Sequence, residues 1–159
     1  MTVAHTKSAD DTRELAGQVA GLSRRGDIIL LAGELGAGKT VIAQGFGRAL
    51  GVEGPITSPT FTLLRRYEGR IPLLHADVYR LDSLLEIADL GLPELLEEGV
   101  ALIEWGDVAA PALPADFLEI RLAWGQGDDD RHLSTRVVGP TWTPRLGALH
   151  AALDRWVVA

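Results

Sequence analysis

The residues best suited to chemistry are Gly33-Glu34-Leu35-Gly36-Ala37-Gly38-Lys39-Thr40. Gly33, Gly38, Lys39 and Thr40 fill the fixed positions of a phosphate-binding loop. Glycines let the backbone curl so that successive N–H groups point at one anion. Lys39 would reach the β- and γ-phosphates of a nucleotide, and the Thr40 hydroxyl would sit on Mg²⁺. The candidate nucleotide-binding residues are thus Glu34, Leu35, Gly36, Ala37, Gly38, Lys39, Thr40 and Val41. A chance glycine-rich turn is the alternative, and the filled pattern together with its flanks argues against it.

Two acids could complete such a site. Glu104 ends the apolar run Val100-Ala101-Leu102-Ile103, the arrangement by which a Walker B acid reaches the metal. The alternative is a strand-end charge facing solvent. Asp77 lies in Ile71-Pro72-Leu73-Leu74-His75-Ala76-Asp77-Val78-Tyr79-Arg80. If that run is a strand, His75, Asp77 and Tyr79 share one face and Leu74, Ala76 and Val78 the other. Asp77 could orient an attacking water or bind Mg²⁺ through water, or it could simply pair with Arg80. Hydroxyls in Ser58-Pro59-Thr60-Phe61, just downstream of the loop and its helix, are placed to sense the γ-phosphate as a switch does. An ordinary Ser-Pro turn would read the same way.

These residues need elements to hold them. Ile28 to Ala32 reads as a buried strand before the loop, and Val41 to Leu50 as the helix after it, ended by Gly51. Ala9 to Arg24 carries Leu15, Val19 and Leu22 at helical spacing, with Asp10, Asp11 or Thr12 as its cap. That helix, through Thr12, could form one wall of a base pocket, or it could only pack. Met1 to Lys7 is expected to fray, leaving residues 1–8 as a flexible terminus to one domain over 1–159. The second half of Ile56 to Leu64 reads as a strand, and Glu68-Gly69-Arg70 as a hairpin turn. Ser83 to Leu90 and Pro93 to Leu96 read as short helical pieces. Phe117 to Trp124 and His132 to Val138 alternate like an antiparallel hairpin around the acidic turn Gly125 to Asp130. Arg145 to Val158 is a closing helix with Leu146, Leu149, Leu153 and Trp156 on one face. Trp124, Trp142 and Trp156 are read as packing residues. Arg65, Arg66, Arg70 and Arg80 are read as a solvated face that could also meet a partner or RNA phosphates.

Composition narrows the class. The chain has 159 residues, enough for one sizeable core. It is 47% hydrophobic and 23% charged, which fits a globular domain rather than a disordered chain. It has no cysteine, so disulfides, thiolate catalysis and thiolate zinc sites are excluded. No apolar run approaches the ~20 residues of a membrane span, and no secretory signal is visible; a cytoplasmic location is expected. The formal charge of −7 argues against wholesale binding of nucleic acid.

Taken together, these motifs resemble the TsaE (YjeE) family, the small bacterial ATPase of tRNA threonylcarbamoyladenosine synthesis. The resemblance rests on Gly33 to Thr40, Ser58-Pro59-Thr60-Phe61-Thr62-Leu63, His75 with Asp77-Val78-Tyr79-Arg80, Leu90-Gly91-Leu92 with Glu94, and Ile103-Glu104-Trp105. Two positions depart from the family pattern. Glu34 stands where Asp is usual, and Gly106-Asp107 stands where proline or glycine and then Glu are usual. The resemblance implies an ATPase that uses Mg²⁺ and works with the proteins TsaD and TsaB, touching tRNA only through them. Their joint product is N6-threonylcarbamoyladenosine at position 37 of tRNA, and ATP turnover recycles the transfer complex. It also implies that Lys39 and Thr40 hold phosphate and Mg²⁺, that Glu104 completes the metal site, that Asp77 aids hydrolysis, and that Thr60 and its neighbours are the switch.

The expected fold is α/β: one P-loop NTPase domain with a mainly parallel central sheet, antiparallel strands added, and helices on both faces. A small-molecule kinase is the main rival, but no arginine-rich lid is apparent. A GTP switch lacks an Asn-Lys-x-Asp base-reading motif. A nucleotide-bound scaffold with little turnover stays close to the main reading.

Overall fold

A computed structural model describes residues 2–33, 38–57, 64–77, 94, 96–104 and 113–157. The described strands form one seven-stranded sheet: β1 (Thr2–Thr6), β2 (Ile28–Gly33), β3 (Leu64–Tyr67), β4 (Leu73–Asp77), β5 (Val100–Glu104), β6 (Phe117–Trp124) and β7 (Arg131–Val138). Their spatial order is β1-β7-β6-β2-β5-β4-β3. The centre, β6-β2-β5-β4, is parallel, and β3, β7 and β1 pair antiparallel at the two sides. The mixed α/β expectation therefore holds. The central strands are buried on both faces, which is why Ile28 to Leu31 and Val100 to Ile103 are unbroken apolar runs.

Helices α1 (Ala9–Leu22), α2 (Lys39–Ala49) and α3 (Leu146–Leu153) cover one face of this sheet. Leu15, Val19, Ile42, Phe46, Leu149 and Leu153 meet Ile29, Leu31 and Leu102 there. On the other face, Leu96, itself helical, and Leu113 pack against Leu30, Leu74, Ile103 and Phe117. Helices α1 and α2 cross closely because Gly45 has no side chain; a Cβ there would collide with the backbone of Arg13.

Three expectations are corrected. The terminus does not fray: Thr2–Thr6 is an edge strand whose Thr2, Ala4 and Thr6 point inward while its backbone pairs with β7. The cap of α1 is Ser8, whose hydroxyl accepts the Asp11 N–H at 3.0 Å, so the helix starts one residue before the proposed acids. The strand expected in the second half of Ile56 to Leu64 falls largely on residues 58–63, outside the described set, and the described strand runs over Leu64–Tyr67. The closing helix ends at Leu153, because a 3₁₀ turn over Asp154–Trp156 carries Val157 into a bridge with Ala4 of β1. Trp142 and Trp156 are buried as expected, whereas Trp124 is 44% exposed beneath the Arg131 guanidinium. No helix among the described residues is long and apolar enough to cross a membrane.

Candidate nucleotide site

Strand β2 ends at Gly33, at the C-terminal edge of the parallel strands, where open α/β sheets place their ligands. Gly38 then adopts a left-handed conformation, φ 106°, which a side chain would strain. Lys39 opens α2 and brings Nζ to 3.3 Å from the Gly33 carbonyl oxygen, so its side chain spans the two ends of the loop. The first bond of α2 runs from the Ile42 N–H to the Gly38 carbonyl at 3.2 Å. The positive end of the helix dipole therefore lies at the loop. Thr40 is half-buried beside Lys39. The loop residues Glu34, Leu35, Gly36 and Ala37 lie outside the described set, as do the switch candidates Ser58, Pro59, Thr60 and Phe61. Tyr79, Arg80, Trp105 and the helix expected over 83–90 also lie outside it.

Both acids come to one place. Strands β4 and β5 are each five residues long and each ends in a carboxylate. Their parallel register sets Asp77 opposite Glu104 and His75 opposite Leu102. Leu73 of β4 and Val100 and Leu102 of β5 belong to the core under the helices, so alternation places His75, Asp77 and Glu104 on that side. Leu74 and Ala76 belong to the opposite core, as the alternation required.

Glu104 does not face solvent. It is 4% exposed, and its Oε2 lies 2.7 Å from Nε2 of the fully buried His75. An ionised carboxylate only accepts, so Nε2 carries the proton and donates. His75 Nδ1 and Asp77 Oδ1 are buried with no hydrogen-bond partner among the described residues. Burial pushes the Asp77 carboxyl above the usual carboxylate range, and the neighbouring Glu104 charge adds to this, while His75 and Lys39 pull the other way.

A raised pKa in the folded state means that the native protein holds this proton more tightly than the unfolded chain does. The resulting stability is present below the ordinary carboxylate pKa and is lost as pH rises through the raised value. At neutral pH, ionised Asp77 therefore opposes folding. Asp77→Asn is expected to stabilise the nucleotide-free protein by about 0.5–2 kcal/mol at pH 7. The gain should shrink as pH falls toward 4, and nucleotide turnover should collapse. Thermal melts from pH 4 to 8 check the first part; a lower melting temperature than wild type at pH 7 would contradict it.

Thr12 and Val41 line one small crevice with Ala9, Gly38, Asp129 and Arg131. The Thr12 hydroxyl is already committed, donating to the Ser8 carbonyl at 3.1 Å and lying 2.6 Å from the Thr6 hydroxyl. The acidic turn after β6 was read as a solvated loop, yet it brings Asp129 and Arg131 beside Gly38. Sequence reasoning also missed the His75–Glu104 bond. Two runs of equal length, each ending in an acid, were its only signal in the sequence.

Comparison with known proteins places the chain in a family. The model of the family described as "Threonylcarbamoyl adenosine biosynthesis protein TsaE" matches residues 6–133. The tRNA threonylcarbamoyladenosine biosynthesis protein TsaE of Bacillus subtilis is 39% identical over 136 residues, covering 84% of each chain. The chain belongs to the TsaE family. The TsaE of Streptomyces coelicolor is 41% identical over 82% of this chain and 93% of its own. The crystal structure of Bacillus subtilis YdiB superposes with a TM-score of 0.74 at 35% identity, covering 96% of this chain and 93% of that one.

Within this TsaE fold, the described residues fit a divalent cation. Asp77 Oδ1 is buried with no hydrogen-bond partner among the described residues, and Asp77 lies opposite Glu104 in the register of the adjacent strands. A cation beside two neighbouring carboxylates offsets their mutual repulsion. Thr40 and Glu104 are the residues that would hold it, with Asp77 reaching it through water.

Proposed function

We propose that this chain is a Mg²⁺-dependent ATPase required for forming N6-threonylcarbamoyladenosine at position 37 of tRNA, acting with TsaD and TsaB in the cytoplasm. Membership of the TsaE family carries the biosynthetic role. The observation that carries the ATPase reading is the convergence of Lys39, Asp77 and Glu104 at the C-terminal ends of β2, β4 and β5.

Each described residue has a task that suits its position, and the switch role rests on the sequence. Lys39 and the N-terminus of α2 hold the β- and γ-phosphates and offset charge that spreads over the transferring group. Thr40 and Glu104 hold Mg²⁺, which when bound would draw charge from the phosphate oxygens. The His75 N–H fixes which way Glu104 points. Asp77 orients the attacking water and accepts its proton, a role suited to a carboxylate whose pKa burial has raised. Ala9, Thr12 and Val41 flank the side of the loop where the base would extend. Ser58, Pro59, Thr60 and Phe61 are the switch that reports the γ-phosphate to the partners.

Turnover of Mg²⁺-ATP by the purified protein, alone and with the TsaD–TsaB pair, tests this reading. Slow turnover alone and stimulation by the pair are expected. Phosphate transfer to small acceptors with no response to the pair would favour a kinase instead.

A further inference from the structure

The flank of the α1–α2 crossing carries a cavity of about 380 Å³ that the nucleotide site does not use. Arg13 of α1 and Arg48 of α2 line it, with Gln44 between them and Val52, Pro55 and Ile56 as an apolar wall. Arg48 lies nine positions after Lys39, so roughly 13 Å of helix separates the cavity from the phosphate loop. Arg48 is exposed and has no ion-pair or hydrogen-bond partner among the described residues. No carboxylate lines this cavity, although the whole chain carries a formal charge of −7. Across the crossing a second cavity of about 390 Å³ shares both arginines, but there Asp10 and Glu14 stand beside them. Asp10 pairs with Arg13 at 2.8 Å, and Glu14 pairs with Arg155. Arg13 is thus already paired, and Arg48 is the guanidinium with charge to offer the first cavity.

We infer that this cavity docks an acidic segment of a protein partner, a carboxylate side chain pairing with Arg48 and an adjoining apolar side chain resting on Val52, Pro55 and Ile56. Guanidinium forks suit carboxylates, and the apolar wall suits a peptide rather than a phosphate backbone. A nucleic-acid track would need basic residues in a row. The nearby arginines do not extend one: Arg66 is spent on Glu68 and Glu98, and Arg70 donates to the Ala20 carbonyl.

Within the cavity, Gln44 ties Arg13 to the chain at Ile56. The Gln44 side-chain oxygen accepts from Arg13 Nε at 3.2 Å, and its amide nitrogen donates to the Ile56 carbonyl at 3.4 Å. Ile56 lies two residues before the switch candidate Ser58.

The inference rests on the proposed partnership with TsaD and TsaB, so that pair is the probe. Its affinity would be measured for wild type, Arg48→Lys, Arg48→Gln and Arg48→Glu, with ATP affinity and melting temperature as controls. Affinity is expected to fall in the order Arg, Lys, Gln, Glu, by roughly tenfold or more at Glu. ATP affinity and melting temperature should stay at wild-type values. Added salt should weaken wild type more than Arg48→Glu. Wild-type affinity in Arg48→Glu would overturn the docking site and leave the ATPase reading intact. Failure of wild type itself to bind the pair would overturn both. Binding of tRNA alone that is lost in Arg48→Glu would assign the cavity to phosphates and also overturn the inference.

Discussion

Lys39→Ala is expected to cut ATP turnover by roughly a hundredfold or more while leaving the fold intact. Lys39 is the one charged side chain placed to span the loop, with Nζ at the Gly33 carbonyl and its stem at the start of α2. Removing it takes away the cation proposed to meet developing phosphate charge but no part of the apolar core. Glu104→Gln is the matching test on the acid side, and it is better chosen than Glu104→Ala. Glutamine keeps an oxygen that can accept from His75 Nε2, so the orientation within the core survives and only the charge is lost. Alanine would leave His75 buried with both ring nitrogens unpaired, a cost of about 1–3 kcal/mol that would blur catalysis with stability. Glu104→Gln should melt within a few degrees of wild type and turn over ATP at roughly a hundredth of its rate or less. Steady-state phosphate release and thermal melts on both variants decide the matter. Wild-type turnover from either variant would refute its assignment.

The parts of this site legible in the sequence are those in which local pattern and local function coincide. The phosphate loop declares itself because glycine spacing, the preceding apolar strand and the following helix are contiguous from Ile28 to Leu50. Asp77 and Glu104 were readable as acids at strand ends for the same reason. That they sit side by side was not readable. It depends on β4 and β5 being neighbours in parallel register, and 22 residues of intervening chain, 78–99, hide that pairing. His75 illustrates the gap. Alternation placed it on the side of Asp77, but nothing local says that its partner lies 29 positions later. The edge strand Thr2–Thr6 was missed for a different reason. Its five residues bury only small side chains, Thr2, Ala4 and Thr6, so hydrophobic periodicity is weak. What holds it is the open backbone edge of β7, a tertiary fact.

The largest stability effect is expected at a contact that no motif announces. Asp27, in the turn before β2, receives two bonds from Arg145: NH1 to Oδ2 at 2.6 Å and NH2 to Oδ1 at 2.8 Å. The side chains are 1% and 7% exposed. Asp27 also accepts the Arg24 N–H at 2.7 Å, while Arg145 donates to the Leu22 carbonyl at 2.8 Å and lies over the Trp142 ring. The pair thus clamps the end of α1 and the entry to β2 onto the segment that leads into α3. Strand β2 carries the phosphate loop, so the clamp sets the base of the site. Asp27→Ala strands a buried guanidinium, and breaking a buried pair in this way costs about 3–5 kcal/mol. For a domain of this size that corresponds to a fall in melting temperature of roughly 10 °C. The double variant Asp27→Leu with Arg145→Met should recover much of the loss, because an apolar pair of similar volume removes the unpaired charge. Equal melting of Asp27→Ala and wild type would show that Arg145 is satisfied without Asp27. If the double variant melts no higher than Asp27→Ala, the specific geometry of the clamp, rather than the unpaired charge, is what holds β2 in place.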